Sequence, residues 1–198
     1  MKLRSRMLSS VFGAVFILSL FSLVSCSSNV EPVRAIGDVH AGGVIIDVWV
    51  ENGVQHGVVL ALNDQSGGSA WSNVAEREVG TPARSKVDGF SNSLAIVNQQ
   101  GHAVSAAQAC LDYVAEGHDD WYLPAIEELE KVYENLEVIN KTLTEVPGAT
   151  PISMAAGYWS STENGAVLAW NYNFNFGIAS NYSTKNLRNF RSRAIRTF

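Results

Sequence analysis

The chain has 198 residues, with 14 Lys and Arg side chains against 19 Asp and Glu side chains, and a formal net charge of −5. This length provides one ordinary domain whose core needs no disulfide. The negative charge argues against nucleic acid as a bulk partner, because phosphate binding requires an excess of basic side chains.

Residues 1–25 resemble a bacterial lipoprotein signal. Three basic residues come first: Lys2, Arg4 and Arg6. An apolar run over 7–24 follows and ends in small residues directly before Cys26, which is the pattern of a lipobox. We therefore expect a signal peptide over 1–25 and lipidation at Cys26. Removal of the signal would leave 11 basic against 19 acidic side chains, a net charge of −8.

The alternative for this segment is a transmembrane anchor. The apolar run is short for a membrane span and contains four serines and a glycine, which favours the lipoprotein interpretation. Residues 26–40 then form a tether between the lipid and a domain over 41–198. The expected location is the cell envelope, with the lipid as the sole membrane contact.

A β-hairpin is predicted at the start of the domain. β-Branched residues dominate 44–50, and a second such run covers 55–62. Asn52 and Gly53 lie between them, and Asn-Gly at this position is the strongest short-range hairpin signal.

Loops and helices follow the hairpin. Residues 63–101 are rich in Gly, Ser, Asn and Asp, which indicates loop, with a short helix over 91–99 as an option. Apolar residues at helical spacing predict helices over 102–116 and from Pro124 to about residue 139. The second helix has glutamates on its outer face, which we interpret as solvent-exposed: Glu127, Glu128, Glu130, Glu134 and Glu137.

The segment 169–177 alternates aromatic residues with asparagine, which predicts a strand with two distinct faces. One face carries Trp170, Tyr172, Phe174 and Phe176. The other face carries Asn171, Asn173 and Asn175. Asparagine is depleted in strands, so a surface for contacts is the natural explanation for three in alternation. The element order indicates an α+β domain in which the N-terminal hairpin pairs with C-terminal strands.

The last fifteen residues contain five basic side chains and no acidic one: Lys185, Arg188, Arg191, Arg193 and Arg196. Two interpretations stay open, a patch for an anionic ligand and arginines paired with carboxylates elsewhere in the domain. Cys110 lies among apolar residues at helical spacing and is expected to be a small buried side chain.

Several motifs in order are similar to the C-terminal domain of a bacterial collagen-like adhesin. They are Gly43-Val44-Ile45, His56-Gly57-Val58-Val59, Asp64-Gln65-Ser66, Trp71, Asp120-Trp121-Tyr122-Leu123-Pro124, Glu127-Glu128-Leu129, Tyr158-Trp159-Ser160-Ser161-Thr162-Glu163, Ala169-Trp170, Phe174, Gly177 and Arg193-Ala194-Ile195-Arg196. The resemblance covers about residues 40–198. It implies a C-type lectin-like fold with two helices and a mixed antiparallel sheet.

The same fold is used by the variable proteins of diversity-generating retroelements, which mutate adenines in codons for a ligand-binding region. Asparagine codons are rich in adenine, so an Asn-rich face fits such a region. The resemblance implies these ligand-binding positions: Asn171, Asn173, Asn175, Phe176, Ser180, Asn181, Tyr182, Ser183, Asn186 and Asn189. Trp170, Tyr172 and Phe174 would then be scaffold.

No catalytic residue, cofactor or metal site is predicted. The four histidines lack the helical spacing of a metal site, and His118-Asp119-Asp120 is expected to be a turn with helix-capping carboxylates. The calcium-binding tripeptides of sugar-binding C-type lectins do not occur. Formylglycine-generating enzymes share the fold but work through cysteines, for which Cys110 is the sole candidate beside Cys26.

We therefore expect a non-enzymatic protein that binds a protein or glycan ligand through its C-terminal face. A fixed structural or adhesive-tip subunit of an envelope assembly is the alternative. An enzyme of the formylglycine-generating type is third.

Overall fold

The computed structural model describes residues 33–198, which form one compact unit. The predicted signal over 1–25 and lipidation at Cys26 lie outside the described residues. The described part is an α+β domain, as predicted, and none of its helices has the length and apolar character needed to cross a membrane.

Seven strands and four α-helices occur in the described chain. In order they are β1 (Val39–His40), β2 (Gly43–Glu51), β3 (Val54–Ala61), α1 (Gly89–Val97), α2 (Ala106–Leu111), α3 (Ile126–Glu134), α4 (Leu136–Glu145), β4 (Gly157–Glu163), β5 (Leu168–Asn173), β6 (Ile178–Thr184) and β7 (Ile195–Thr197). A short 3-10 helix at Thr81–Ala83 precedes α1. The resemblance had implied two helices, so the helical content is higher than expected.

The first sheet contains the predicted hairpin. Its antiparallel strand order is β1-β2-β3-β7, so β3 pairs with the last strand of the chain, as predicted. Asn52 and Gly53 have φ angles of 51° and 79°, which are the positive values that a type I′ turn requires at both central residues. The local Asn-Gly signal therefore sets the register of the hairpin, with Glu51 opposite Val54.

The first sheet begins inside the segment 26–40, which the sequence predicts to be a tether. Val39 and His40 pair with Val44 and Gly43, and the backbone N–H of Gly37 donates to the carbonyl of Ile45 at 2.9 Å. Residues 37–40 are thus part of the domain. The reason is local, because the tight turn at residues 41–42 returns this short segment along the edge of β2.

The helices follow their predicted positions with changed lengths. The optional helix over 91–99 is confirmed as α1, which Asp88 caps by accepting a hydrogen bond from the N–H of Ser91 at 2.9 Å. The helix predicted over 102–116 is shorter, because Ser105 is the N-cap of α2 and Glu116 has a positive φ of 49°. The second predicted helix divides at Asn135 into α3 and α4.

The second sheet has the antiparallel order β4-β5-β6. Strand β5 ends at Asn173, so the predicted strand over 169–177 becomes a strand followed by a turn. Within the described residues β6 lies at an edge of this sheet and has β5 as its strand partner.

Both sheets are buried on both faces over much of their area. Side-chain alternation divides their apolar residues between two hydrophobic clusters. Val44 and Tyr158 belong to one cluster with α3 and α4, whereas Ile45 and Trp159 belong to the other with α1 and α2. Little of the central strand β5 is therefore left for a ligand.

Candidate functional site

Asn171 is buried, with 3% of its surface exposed, which corrects its prediction as a ligand-binding residue. Its side-chain Nδ2 donates hydrogen bonds to Ser183 Oγ at 2.8 Å and to the carbonyl of Ser180 at 3.2 Å. Asn171 lies opposite Trp159 on the neighbouring strand, on a face of the sheet that is covered. Its amide therefore holds β5 against β6 rather than meeting solvent.

Asn173 shapes the turn that follows β5. Its Oδ1 accepts hydrogen bonds from the backbone N–H groups of Asn175 at 3.0 Å and Phe176 at 3.3 Å. The turn closes at Gly177, whose φ is 63° and where an added Cβ would lie 2.4 Å from the Tyr133 ring. Residues 174–177 therefore form a turn and do not continue the predicted strand. The turn depends on the Asn173 side chain as hydrogen-bond acceptor and on glycine at position 177.

The exposed part of the predicted face lies on the β5–β6 hairpin and the loop after it. Phe176 is 68% exposed and Tyr182 is 81% exposed, although large aromatic side chains are usually buried. We name six of the exposed residues here the hairpin surface: Asn175, Phe176, Ile178, Tyr182, Asn186 and Asn189. The remaining predicted positions, Asn173, Ser180, Asn181 and Ser183, are half-buried.

Two of the three residues predicted as aromatic scaffold lie in the core. Tyr172 and Phe174 are buried and their ring centroids lie 5.1 Å apart. Trp170 is half-buried, and the Lys86 ammonium lies 4.9 Å from its ring centroid.

The basic residues near the chain end are mostly paired, which decides between the two interpretations of that run. Arg191 and Arg193 both contact Asp64, with N–O distances of 2.8 and 2.7 Å. Arg196 Nε and Nη2 contact the two oxygens of Asp120 at 2.5 and 3.0 Å. The run therefore supplies counter-ions to carboxylates of the domain rather than an open anion site.

Lys185 forms the most buried of these pairs. Its Nζ lies 2.7 Å from Glu163 Oε1, and both side chains have no exposed surface. The backbone N–H groups of Val79 and Gly80 also donate to the Glu163 carboxylate, at 2.7 and 2.8 Å. Burial lowers the pKa of the Lys185 ammonium, while the hydrogen bond to Glu163 opposes that change.

Asp120 has a different role from the expected helix cap. The hydrogen bonds from Arg196 hold the pKa of the Asp120 carboxyl below its usual value. The start of α3 is capped instead by Glu128, whose Oε2 accepts a hydrogen bond from the Ala125 N–H at 2.7 Å.

Glu128 is the main residue that the sequence interpretation missed. Its carboxylate accepts additional hydrogen bonds from the Gly89 N–H at 3.2 Å and from the Tyr122 hydroxyl at 3.0 Å. Burial raises the pKa of Glu128 to about 7, although these hydrogen bonds favour the charged form. Glu128 is thus not part of the exposed acidic face. Its spacing from Ala125, three residues into a helix, is the signal of a capping role.

Glu128 lies in the lining of a groove between the first sheet and helices α1 and α3. The groove has a volume of about 790 Å³. We name it the acidic groove, and its lining residues include Asp47, Trp49, Asp88, Phe90, Asp120, Tyr122, Glu127, Glu128 and Lys131. Trp49 stacks on His56 with centroids 5.8 Å apart, and Phe90 packs edge-on against Tyr122 at 5.7 Å.

The described residues contain no group of three or more His, Cys, Asp and Glu side chains placed to hold a metal ion. Cys110 is a free thiol with no exposed surface, as the sequence predicted. Burial raises the pKa of its thiol, which keeps it protonated and unreactive at neutral pH.

Comparison with known protein families gives a match to the Lcl C-terminal domain over residues 60–196. This segment is more than half of the chain. The chain belongs to the Lcl C-terminal domain family. The family resemblance inferred from the motifs is therefore confirmed.

A solved structure of a fimbrial protein from Bacteroides ovatus is similar in fold to this Lcl C-terminal domain protein. The TM-score is 0.55 at 17% sequence identity, and the similarity covers 70% of this chain. It covers 35% of the fimbrial chain, so this protein spans about a third of that neighbour's length. A search of curated proteins gives no significant match.

The two candidate surfaces relate differently to the segment that matches the Lcl C-terminal domain. The hairpin surface lies entirely inside it, whereas one wall of the acidic groove comes from Asp47, Trp49 and Val58, which precede residue 60.

Proposed function

We propose that this protein is a non-enzymatic, lipid-anchored envelope protein that binds a protein or glycan ligand through the hairpin surface. The observation that carries the proposal is the exposure of Phe176 and Tyr182 on a turn and strand fixed by buried neighbours. Aromatic side chains provide large contact areas with little loss of conformational entropy, and asparagine amides provide adaptable hydrogen bonds. Membership of an adhesin domain family agrees with this role.

The proposal includes a C-type lectin-like fold, in which a strand of the N-terminal hairpin pairs with the last strand and a second sheet presents ligand contacts. The β3–β7 pairing and the exposed β5–β6 hairpin support this interpretation. Retroelement diversification of the hairpin surface is part of the same hypothesis, since four of its residues are Asn or Tyr.

The binding test compares the native protein with a Phe176→Ser, Tyr182→Ser double variant on a glycan array and against cross-linkable envelope proteins. Both substitutions remove exposed apolar surface, so we expect unfolding stability to change by no more than about 0.5 kcal/mol while binding is lost. The matched control is Val50→Ser with Val54→Ser, which removes exposed apolar side chains from the β2–β3 hairpin. Undiminished binding by the Phe176 and Tyr182 variant would exclude the hairpin surface as the binding site.

The anchor is tested by Cys26→Ser. We expect this variant to lose metabolic labelling by a fatty-acid analogue and to leave the membrane fraction. Continued membrane association without label would instead support the transmembrane alternative for residues 7–24.

A fixed subunit of an envelope assembly is the second candidate. The edge position of β6 favours it, because an unpaired strand edge can accept a strand from a partner. Sequences from related strains separate the two functions. A uniform hairpin surface is expected for a fixed partner, whereas variation confined to that surface is expected for variable recognition.

A further inference from the structure

The acidic groove is lined by apolar side chains as well as by acidic ones, and its two exposed aromatic side chains are only partly accessible to solvent. Its volume of about 790 Å³ lies in the range of roughly 300–1,000 Å³ that is usual for ligand sites. Its lining includes Trp49 on β2 and Phe90 on α1, which are 39% and 43% exposed. Ile46, Val58 and Val87 add aliphatic surface to the lining.

The charges in the groove are unbalanced. Five carboxylates line it against one lysine, and Lys131 is already paired with Asp47. Arg196 pairs with Asp120 from outside the lining. The other three carboxylates, Asp88, Glu127 and Glu128, have no cationic partner among the described residues.

The hydrogen bonds of these three carboxylates do not account for all of their acceptor capacity. Asp88 accepts one through Oδ1 as the cap of α1, and Glu128 accepts from two backbone N–H groups and a hydroxyl. All of these donors are neutral. A carboxylate offers about four acceptor positions, so each can also accept from a cation in the groove.

We propose that the acidic groove binds the lysine or arginine side chain of a partner peptide. The cation would lie among Asp88, Glu127 and Glu128, and its aliphatic stem would pack on Trp49 and Phe90. Charge complementarity selects a cationic occupant, and the aromatic walls stabilise it further through contact with the stem and the ring faces. This site is independent of ligand binding at the hairpin surface.

The test measures binding of four acetylated, amidated pentapeptides by titration calorimetry with the full chain at about pH 8, where the Glu128 side chain, with its raised pKa of about 7, is mostly charged. Their central residues are lysine, arginine, norleucine and glutamate, flanked by alanines. Norleucine has an unbranched stem like that of lysine but no charge. We expect the lysine and arginine peptides to bind, with affinity that falls as salt is added, and the norleucine and glutamate peptides to bind at least roughly tenfold more weakly.

The decisive variant combines Asp88→Asn with Glu127→Gln. Asparagine still caps a helix, so α1 is expected to persist while binding of the basic peptides weakens roughly tenfold. The matched control combines Glu134→Gln with Glu137→Gln, which removes the same charge from α3 and α4 outside the groove and should leave binding unchanged.

Three results would overturn the proposal. They are equal binding of the norleucine and lysine peptides, equal loss of binding in both double variants, and absence of binding by both the lysine and the arginine peptide. If the groove variant fails to fold, the peptide series and the salt dependence on the native protein still decide the matter. Loss of ligand binding at the hairpin surface with unchanged peptide binding would show that the acidic groove binds peptide independently of the proposed function.

Discussion

Glu128 makes the stability of the domain depend on pH in a direction that is unusual for a carboxylate. Its pKa is raised from an ordinary value of 4.5 to about 7 in the folded state, because the side chain is buried beside Tyr122 and the start of α1. Below pH 4.5 the group is protonated in both states and burial has no ionic cost. As pH rises from 4.5 to 7, the unfolded chain loses this proton first, so unfolding becomes easier.

The magnitude follows from the two pKa values. A difference of one pKa unit corresponds to about 1.4 kcal/mol, so the loss across this window is about 3 kcal/mol and is complete above pH 7. Glu128→Gln has no proton to lose. Its amide can accept from the Ala125 and Gly89 N–H groups through oxygen and donate to the Tyr122 hydroxyl through nitrogen.

The assay is urea unfolding of both proteins at several pH values from about 4 to about 8. This range brackets the two pKa values of Glu128, between which the effect of its ionisation on stability changes with pH. The unfolding free energy of the native protein minus that of Glu128→Gln should fall by about 3 kcal/mol over this range. Burial lowers the pKa values of His40 and His102, which makes stability rise with pH, but both proteins share that contribution. Glu127→Gln controls for removal of one negative charge from the same helix. A difference that stays constant or increases with pH would refute the burial argument.

Three further outcomes are expected. Lys185→Met leaves Glu163 buried without its cation and should destabilise the domain by about 3–5 kcal/mol. Adding Glu163→Gln to the same chain should recover part of this stability, and urea unfolding measures both variants. Asn171→Ala should cost about 1–3 kcal/mol through lost buried hydrogen bonds, whereas Tyr182→Ala should leave thermal unfolding almost unchanged. Cys110 should resist a thiol reagent in the folded protein and react once urea unfolds it; rapid labelling of the native state would contradict its burial.

Local signals predicted the elements best. The Asn52-Gly53 turn and α1 depend on residues adjacent in sequence, and both are found where the sequence places them. The split at Asn135 was missed because apolar spacing continues across it. The side chain of Asn135 donates to the carbonyl of Ile46, a contact with β2 that no local pattern reveals.

The candidate site was predicted less well because its residues depend on distant partners. Asn171 was expected on an open face, but Trp159, Phe190 and Trp71 cover the side of the second sheet on which it lies. Asp64 is separated by 127 and 129 residues from the two arginines it pairs with. Strand periodicity identifies which residues share a face, but it does not identify whether another segment covers that face.

The same long-range contacts limit which positions can vary if the hairpin surface is diversified. Lys185 neutralises a fully buried carboxylate and Asn171 joins two strands, so most substitutions at either position would destabilise the domain. Tyr182, Asn186 and Asn189 are exposed and can change at little cost. Diversification of codons across 171–189 would therefore leave a pattern in related strains, with changes at the exposed positions and none at Lys185 or Asn171. Frequent substitution at those two buried positions in functional proteins would contradict the assignment of the hairpin surface as the variable site.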